Sequence, residues 1–311
     1  MSVVNAIPLL LGDEGYNISR SVRLRSSASA TFSRTPGSAS NRRTWTWSGW
    51  VKRGRLGTEN GVFSAKQTKD DITGSYFNTA DKLVFIDRPS GATNALLGTT
   101  MVFRDPSAWY HIIVQADTTN ATSSDRLKIY VNGVRVTAFD SATYPSQNYE
   151  LAYINNTVDH RIGAFQDNTP LNFDGYLTEV NFIDGQALTP SSFGETDAIT
   201  GVWKPKKYAG TYGTNGFYLN FSDPSAATAA AIGKDYSGNG NNWTPNNISV
   251  TDSEMGCCLC YFFKRESNNY NIWRVNIIWI WHDCRFIWKV LLGSNCHSGW
   301  YSYAGSRCNN Q

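Results

Sequence analysis

The segment RLKIYVNGVRVTAF, from Arg126 to Phe139, constrains the fold more than any other part of the chain. Leu127, Ile129 and Val131 alternate with polar or half-polar residues up to Asn132-Gly133, and Val134, Val136 and Ala138 alternate away from it. A period of two gives each arm one apolar face. Asn-Gly supplies the two positive-φ residues of a type I′ turn, whose twist matches that of its flanking strands, so the segment predicts a β-hairpin. A lone hairpin is marginal in water, so the chain must supply further strands with a shared apolar face.

Such strands are legible along the chain. Val22 and Leu24 alternate with Arg23 and Arg25, and in TWTWSGWVKRG (44–54) Trp45, Trp47 and Val51 alternate with Thr44, Thr46 and Ser48. Further strands are predicted at 61–65, 75–78, 82–87 and 101–104, in HRIGAF (160–165), in FDGYLTEVNFI (173–183) and in GFYLNF (216–221). The segment ending at Trp203 reads as a loop with one helical turn, and DYSGNGNNWTPNN (235–247) as a turn-rich loop. Many short strands with few helical signals predict an all-β sandwich over residues 19–250, preceded by an irregular leader at 1–18. A body of this size buries enough surface to fold without disulfides or a metal.

Charge and cysteine divide the chain near residue 256. Six basic and two acidic residues follow Cys257, so this stretch carries +4 and the preceding body −1. A near-neutral body excludes the clustered basic face that a nucleic-acid partner requires. All six cysteines (Cys257, Cys258, Cys260, Cys284, Cys296, Cys308) and five of the 11 tryptophans lie in the same stretch. A cysteine-free body fits cytoplasmic assembly. The run Val3–Leu11 has no basic flank, so no secretory signal is expected. The most apolar stretch, 272–292, is interrupted by Arg274, His282, Asp283, Arg285 and Lys289, so no membrane insertion is expected.

Several of these segments carry a family likeness in their order. SVRLRSSASATFSR, TWTWSGWVKRG, WYHIIVQAD, RLKIYVNGVRV, HRIGAFQDNTPLNFDGYLTEVNFIDGQALTPSSF and KDYSGNGNNWTPNNIS together resemble the laminin-G-like, concanavalin A-like jelly rolls of bacteriophage tail-fibre and other virion proteins. The resemblance implies a two-sheet antiparallel jelly-roll sandwich of the concanavalin A-like lectin/glucanase type. It also implies non-catalytic recognition: a virion adhesion component, assembled in the host cytoplasm, that binds host-surface glycan beside other virion proteins as a homo-oligomer. A structural decoration protein acting through protein contacts and a glycan depolymerase of the same fold stay open as alternatives.

Four constellations bear on chemistry. Glu179-Val-Asn-Phe-Ile-Asp184 mimics the carboxylate spacing of retaining β-glucanases, which need two carboxyl groups about 5–5.5 Å apart. Asn181 replaces the middle carboxylate, and alternation puts Asp184 opposite Glu179 unless a bulge intervenes, so no catalytic residue is expected. Laminin-G-like domains often hold calcium; the loops 117–125 and 167–174, with Asp167 and Asp174 as candidate ligands, could supply oxygens, although turns favour Asp for their own reasons. No other cofactor is expected. His111 and His160 lie within strands, with no second His or Cys nearby in sequence to complete a zinc or triad site. Trp203, Tyr208, Tyr212 and Trp243 fall in polar loops and are the candidates for stacking on sugar, whereas Trp45, Trp47, Trp50 and Trp109 read as core.

The stretch 251–311 loses the strand-and-turn pattern, and its cysteine spacing matches no standard zinc motif. It reads either as a small Cys/Trp-rich module or as translation in a shifted frame.

Overall fold

Alternating segments become packed sheets in the computed structural model, which describes Tyr16 and residues 18–68, 70–165, 171–255, 276–282 and 285–291. The chain divides into two units, Met1–Cys260 and Tyr261–Gln311. In chain order the strands of the first unit are β1 (Arg20–Leu24), β2 (Thr31–Arg34), β3 (Thr44–Arg53), β4 (Asn60–Lys66), β5 (Ile72–Phe77) and β6 (Lys82–Arg88). Next come β7 (Ala95–Val102), β8 (Tyr110–Asp117), β9 (Leu127–Val131), β10 (Val134–Arg135), β11 (Phe139–Thr143) and β12 (Asp159–Ile162). The series ends with β13 (Gly175–Asp184), β14 (Gly194–Thr196), β15 (Trp203–Pro205), β16 (Phe217–Leu219), β17 (Thr244–Asn246) and β18 (Ser253–Met255).

Two antiparallel sheets result. The first runs β10-β9-β8-β3-β13-β1-β18, with β16 also paired to β13; the second runs β11-β7-β6-β5-β4-β12-β2-β17. No α-helix occurs among the described residues, as the all-β reading requires. Neighbours in a sheet are mostly distant in the chain, as in a jelly roll: β3 pairs with both β8 and β13, and β12 with both β4 and β2. The core lies between the inner faces. Trp45, Trp47, Val114, Ile129 and Phe182 of the first sheet meet Phe32, Phe63, Phe85 and Ile162 of the second. Trp45 lies 6.0 Å from Phe85 and Trp47 6.1 Å from Phe63, centroid to centroid, so indole rings span the gap between sheets. Each such side chain contributes roughly 1.5–3 kcal/mol by leaving water.

The hairpin forms as its sequence requires. Asn132 (φ 48) and Gly133 (φ 82) occupy the left-handed region between β9 and β10. Two expectations are corrected. The strand expected at 101–104 is β7, ending at Val102; Met101 and Val102 are exposed, and the inward residues of this strand are Ala95, Leu97 and Thr99. The segment leading to Trp203 contains a 3-10 turn at Pro190–Ser192 and then the paired ribbon β14–β15. Trp109 is half-buried, whereas Trp45, Trp47 and Trp50 are buried.

β13 carries a bulge. Its register with β3 breaks between Thr178 and Asn181, where Glu179 takes φ 52. Residues 186–215 cover part of the outer face of the first sheet, where Ile113, Ile183, Phe193, Tyr212 and Tyr218 form a second, small cluster. The last strand of this sheet, β18, pairs with β1 and lies past residue 250.

In the second unit, β19 (Asn276–His282) and β20 (Arg285–Leu291) pair antiparallel from Asn276↔Leu291 to His282↔Arg285. Among the described residues no helix is long and apolar enough to cross a membrane.

Candidate functional site

The four aromatic residues singled out by their loop positions do not form one surface. Trp243 is 0% exposed and sits between the sheets, edge-on to Phe217 with centroids 4.8 Å apart. Tyr212 is 9% exposed and donates its hydroxyl to Asn181 Oδ1 at 3.1 Å. Burial corrects the expectation for both, since neither can offer a ring face to a sugar. The polar composition around them reflects turns that fold back over the sandwich. Trp203 and Tyr208 are half-exposed. Tyr208 stands perpendicular to Tyr212 with centroids 5.1 Å apart.

Trp203 is held by a histidine. Its indole N–H donates to His111 Nδ1 at 2.9 Å, and the His111 ring stacks on Trp50 with centroids 4.9 Å apart. Because an indole can only donate, the proton of neutral His111 resides on Nε2 and is given to Ser48 Oγ, 2.8 Å away. A nucleophilic serine needs the reverse polarity, with its hydroxyl donating to an unprotonated ring nitrogen. Ser48 and His111 are therefore a structural pair. Burial pushes the His111 pKa down to about 3, which keeps the ring neutral.

The Glu179–Asp184 spacing does not make a dyad either. The bulge lies before Val180, so alternation resumes from Glu179: Val180 and Phe182 face the core, while Glu179 and Asn181 face outward. Glu179 is neither exposed nor paired locally; it accepts the hydroxyls of Tyr218 and Tyr16. Asp184 accepts from Asn155 Nδ2 at 2.9 Å and from the Asn215 N–H at 3.0 Å.

Of the two candidate calcium ligands, Asp167 lies outside the described residues. Asp174 Oδ2 accepts from the N–H and Oγ of Ser26 at 3.2 and 2.8 Å. In the other oxygen-rich loop, Asp117 Oδ1 accepts from the N–H of Thr119 at 3.2 Å, and Asp125 pairs with Lys128 and Arg135. Calcium takes six to eight oxygens, and among the described residues no three His, Cys, Asp or Glu converge. The described residues do not fit such a site.

A different place has the form of a site. Across β12, β2 and β17, His160, Ile162 and Phe32 face inward, so Asp159, Arg161, Thr31 and Ser33 point outward. Register aligns them: Arg161 opposes Ser33, Ser33 opposes Thr244, and Thr31 opposes Asn246. With Ser29, Asn172 and Asn247 these outward residues line an open groove of about 450 Å³. Ser29 and Asn247, at its rim, both hold left-handed φ values of 54 and 55. Arg161 Nε donates to Asp159 Oδ2 at 2.7 Å, Asn246 Nδ2 to Ser33 Oγ at 3.0 Å and Asn172 Nδ2 to Ser29 Oγ at 3.0 Å. Lys66, opposite Asp159 on β4, has its pKa pushed down to about 8 by burial, with Arg161 adding to the shift and Asp159 opposing it.

The groove offers amides, hydroxyls and one ion pair to a ligand. Asp159 is the one carboxylate in its lining, whereas glycoside hydrolysis uses two. Its residues were missed in the sequence because each is an ordinary outward position of a short strand. Only pairing brings positions near 31, 159 and 246 side by side.

The family model described as the concanavalin A-like lectin/glucanases superfamily matches residues 25–192. No curated protein matches the sequence. Among solved structures, an SAP-like pentraxin from Limulus polyphemus is similar at TM-score 0.41 and 15% identity, over 55% of this chain and 78% of its own. Domains LG4-5 of the mouse laminin alpha1 chain align at TM-score 0.40 and 11% identity, over 62% of this chain and 49% of theirs. The enzymatically active domain of tailspike protein 2 from bacteriophage CBA120 aligns at TM-score 0.38 and 10% identity, over 60% of this chain and 31% of its own.

Proposed function

We propose, from the premise that this chain belongs to the concanavalin A-like lectin/glucanases superfamily, that its sandwich is a non-catalytic glycan-recognition module. The ligand lies across Asp159, Arg161, Ser33 and Asn246 on the outer face of the second sheet. The observation that carries this reading is the groove lining, in which amide, hydroxyl and guanidinium groups stand within one volume of about 450 Å³. Polyhydroxylated ligands are bound by such convergent donors and acceptors, with ordered water completing the contacts. An open groove of this kind gives weak single-site affinity, so attachment requires several copies acting together. The setting is a virion, with the protein a tail-fibre or other adhesion component, a homo-oligomer beside other virion proteins; the ordered motifs support this part.

The test is binding of the full chain to arrayed glycans, with Arg161→Ala, Asn246→Ala, Trp203→Ala and Tyr208→Ala variants. Either groove substitution is expected to weaken binding about tenfold, the cost of roughly 1.4 kcal/mol of lost hydrogen bonding. Tyr208→Ala and Trp203→Ala, in the segment that covers the outer face of the first sheet, are expected to leave it unchanged. Loss confined to the aromatic variants would move the site to the first sheet, and no binding to any glycan would favour the decoration reading.

A further inference from the structure

Glu179 is unusual three times over. It is 6% exposed on the outer face of the first sheet, it takes φ 52 although it is not a glycine, and its described donors are two phenols. Tyr218 reaches Oε1 and Oε2 at 2.9 and 2.8 Å, and Tyr16 donates to Oε2 at 2.8 Å. The two phenolic oxygens are 2.7 Å apart. Tyr212 stacks parallel on Tyr218 at 6.4 Å, but its own hydroxyl goes to Asn181.

A sheet position of this kind has no structural need for a carboxyl group. Burying one is costly unless it is fully hydrogen-bonded, and left-handed backbone in a non-glycine residue persists only where its surroundings impose it. Tyr218 and Tyr212 belong to the packed cluster on this face. Tyr16 does not: it is half-buried, precedes β1 and lies outside any strand. Its withdrawal would break no ladder hydrogen bond among the described residues, and would leave Tyr218 as the described donor to the Glu179 carboxylate.

We propose that Glu179 and Tyr218, backed by Tyr212, form a phenol-binding pocket, and that Tyr16 is its exchangeable occupant in cis. The ligand class is a para-substituted phenol, which is the tyrosine side chain itself. The pocket reads the hydroxyl through the carboxylate and through the Tyr218 hydroxyl. Tyr16 is thereby latched to the sheet through its hydroxyl. This pocket is independent of the groove on the second sheet.

The test is chemical rescue in the full chain. Tyr16→Ala is expected to melt below the parent, and p-cresol is expected to restore its melting temperature saturably, with half-saturation at about 1 mM, the strength open to a ligand of this size. 4-Methylanisole, of similar shape but without the donor hydrogen, is expected to give no such shift. Absence of a saturable shift with p-cresol, or an equal shift with both compounds, overturns the proposal. Should Tyr16→Ala not fold, Tyr16→Phe fills the pocket without the hydroxyl. It is expected to melt below the parent and to ignore p-cresol; melting together with the parent overturns the proposal.

Discussion

The main-chain N–H of Asn155 donates to Nε2 of His160 at 3.1 Å, while Nδ1 of the same ring donates to the Val158 carbonyl at 2.8 Å. The unprotonated nitrogen of His160 thus faces a group that can only donate, as that of His111 faces the Trp203 indole. Protonating either ring sets two N–H groups against each other. Burial pushes the pKa of His160 down to about 4 and that of His111 to about 3.

Stability is therefore expected to fall on acidification from pH 6.5. Unfolded histidine titrates near pH 6.5; below it the unfolded chain binds protons that the folded chain refuses until about pH 4 for His160 and 3 for His111. The loss is about 1.4 kcal/mol per histidine per pH unit in that window. Glu179 and Asp87, raised by burial, act in the opposite sense. The histidine contribution is isolated by His160→Gln and His111→Asn, which each keep an acceptor oxygen. Urea midpoints at pH 7 and pH 5 should differ less in each variant than in the parent.

Gly133 is closed to any side chain. A Cβ there would lie 2.6 Å from the Trp203 ring, and φ is 82. Gly133→Val is expected to cost at least about 2 kcal/mol by overlap and backbone strain. Trp203→Ala should relieve the overlap and leave the strain, so denaturation of the double mutant should show coupling of about 1 kcal/mol or more. Strict additivity would place the ring elsewhere.

Asp235 ties the turn-rich loop to β16. Its carboxylate accepts from the N–H of Tyr218, the N–H and Oγ of Ser237, and the N–H of Asn241, each at 2.8 Å. Asp235→Ala leaves these donors without their acceptor and is expected to cost about 3 kcal/mol or more. Asp235→Asn keeps one acceptor oxygen and should cost less. Hydrogen exchange at the Tyr218 amide should rise in step with the loss.

Truncation after Cys260 is expected to leave the first unit folded, because the described strands of its two sheets all lie before it, the last being β18. Truncation after Ser249 removes β18 and Asp252, which accepts from Arg25 and from the Ser249 N–H at 2.8 Å each. That product should melt lower than the 1–260 product; equal melting would show β18 to be dispensable.

Much of the fold was legible in advance. Alternation in TWTWSGWVKRG and the Asn132-Gly133 turn depend on local backbone geometry, which each residue carries with it. The strand ending at Val102 was misplaced because the apolar run Met101-Val102-Phe103 looks buried, yet only Phe103 finds a partner surface. The candidate site was far less legible. Loop aromatics attract attention in a sequence, and Trp243 and Tyr212 turned out to be packing groups.

The sequence by itself determined the strand periods, the I′ turn, the all-β class and the cysteine-free composition of the body, since all of these follow from neighbours within a few residues. Which outward side chains stand together was decided only by the tertiary structure. Thr31, Arg161 and Asn246 share a groove, and Tyr16 meets Glu179, because antiparallel pairing in a jelly roll joins strands more than a hundred residues apart. A one-residue change of register would turn every such side chain to the other face, and that register is set by the packing of Trp45, Trp47 and Phe63 in the core.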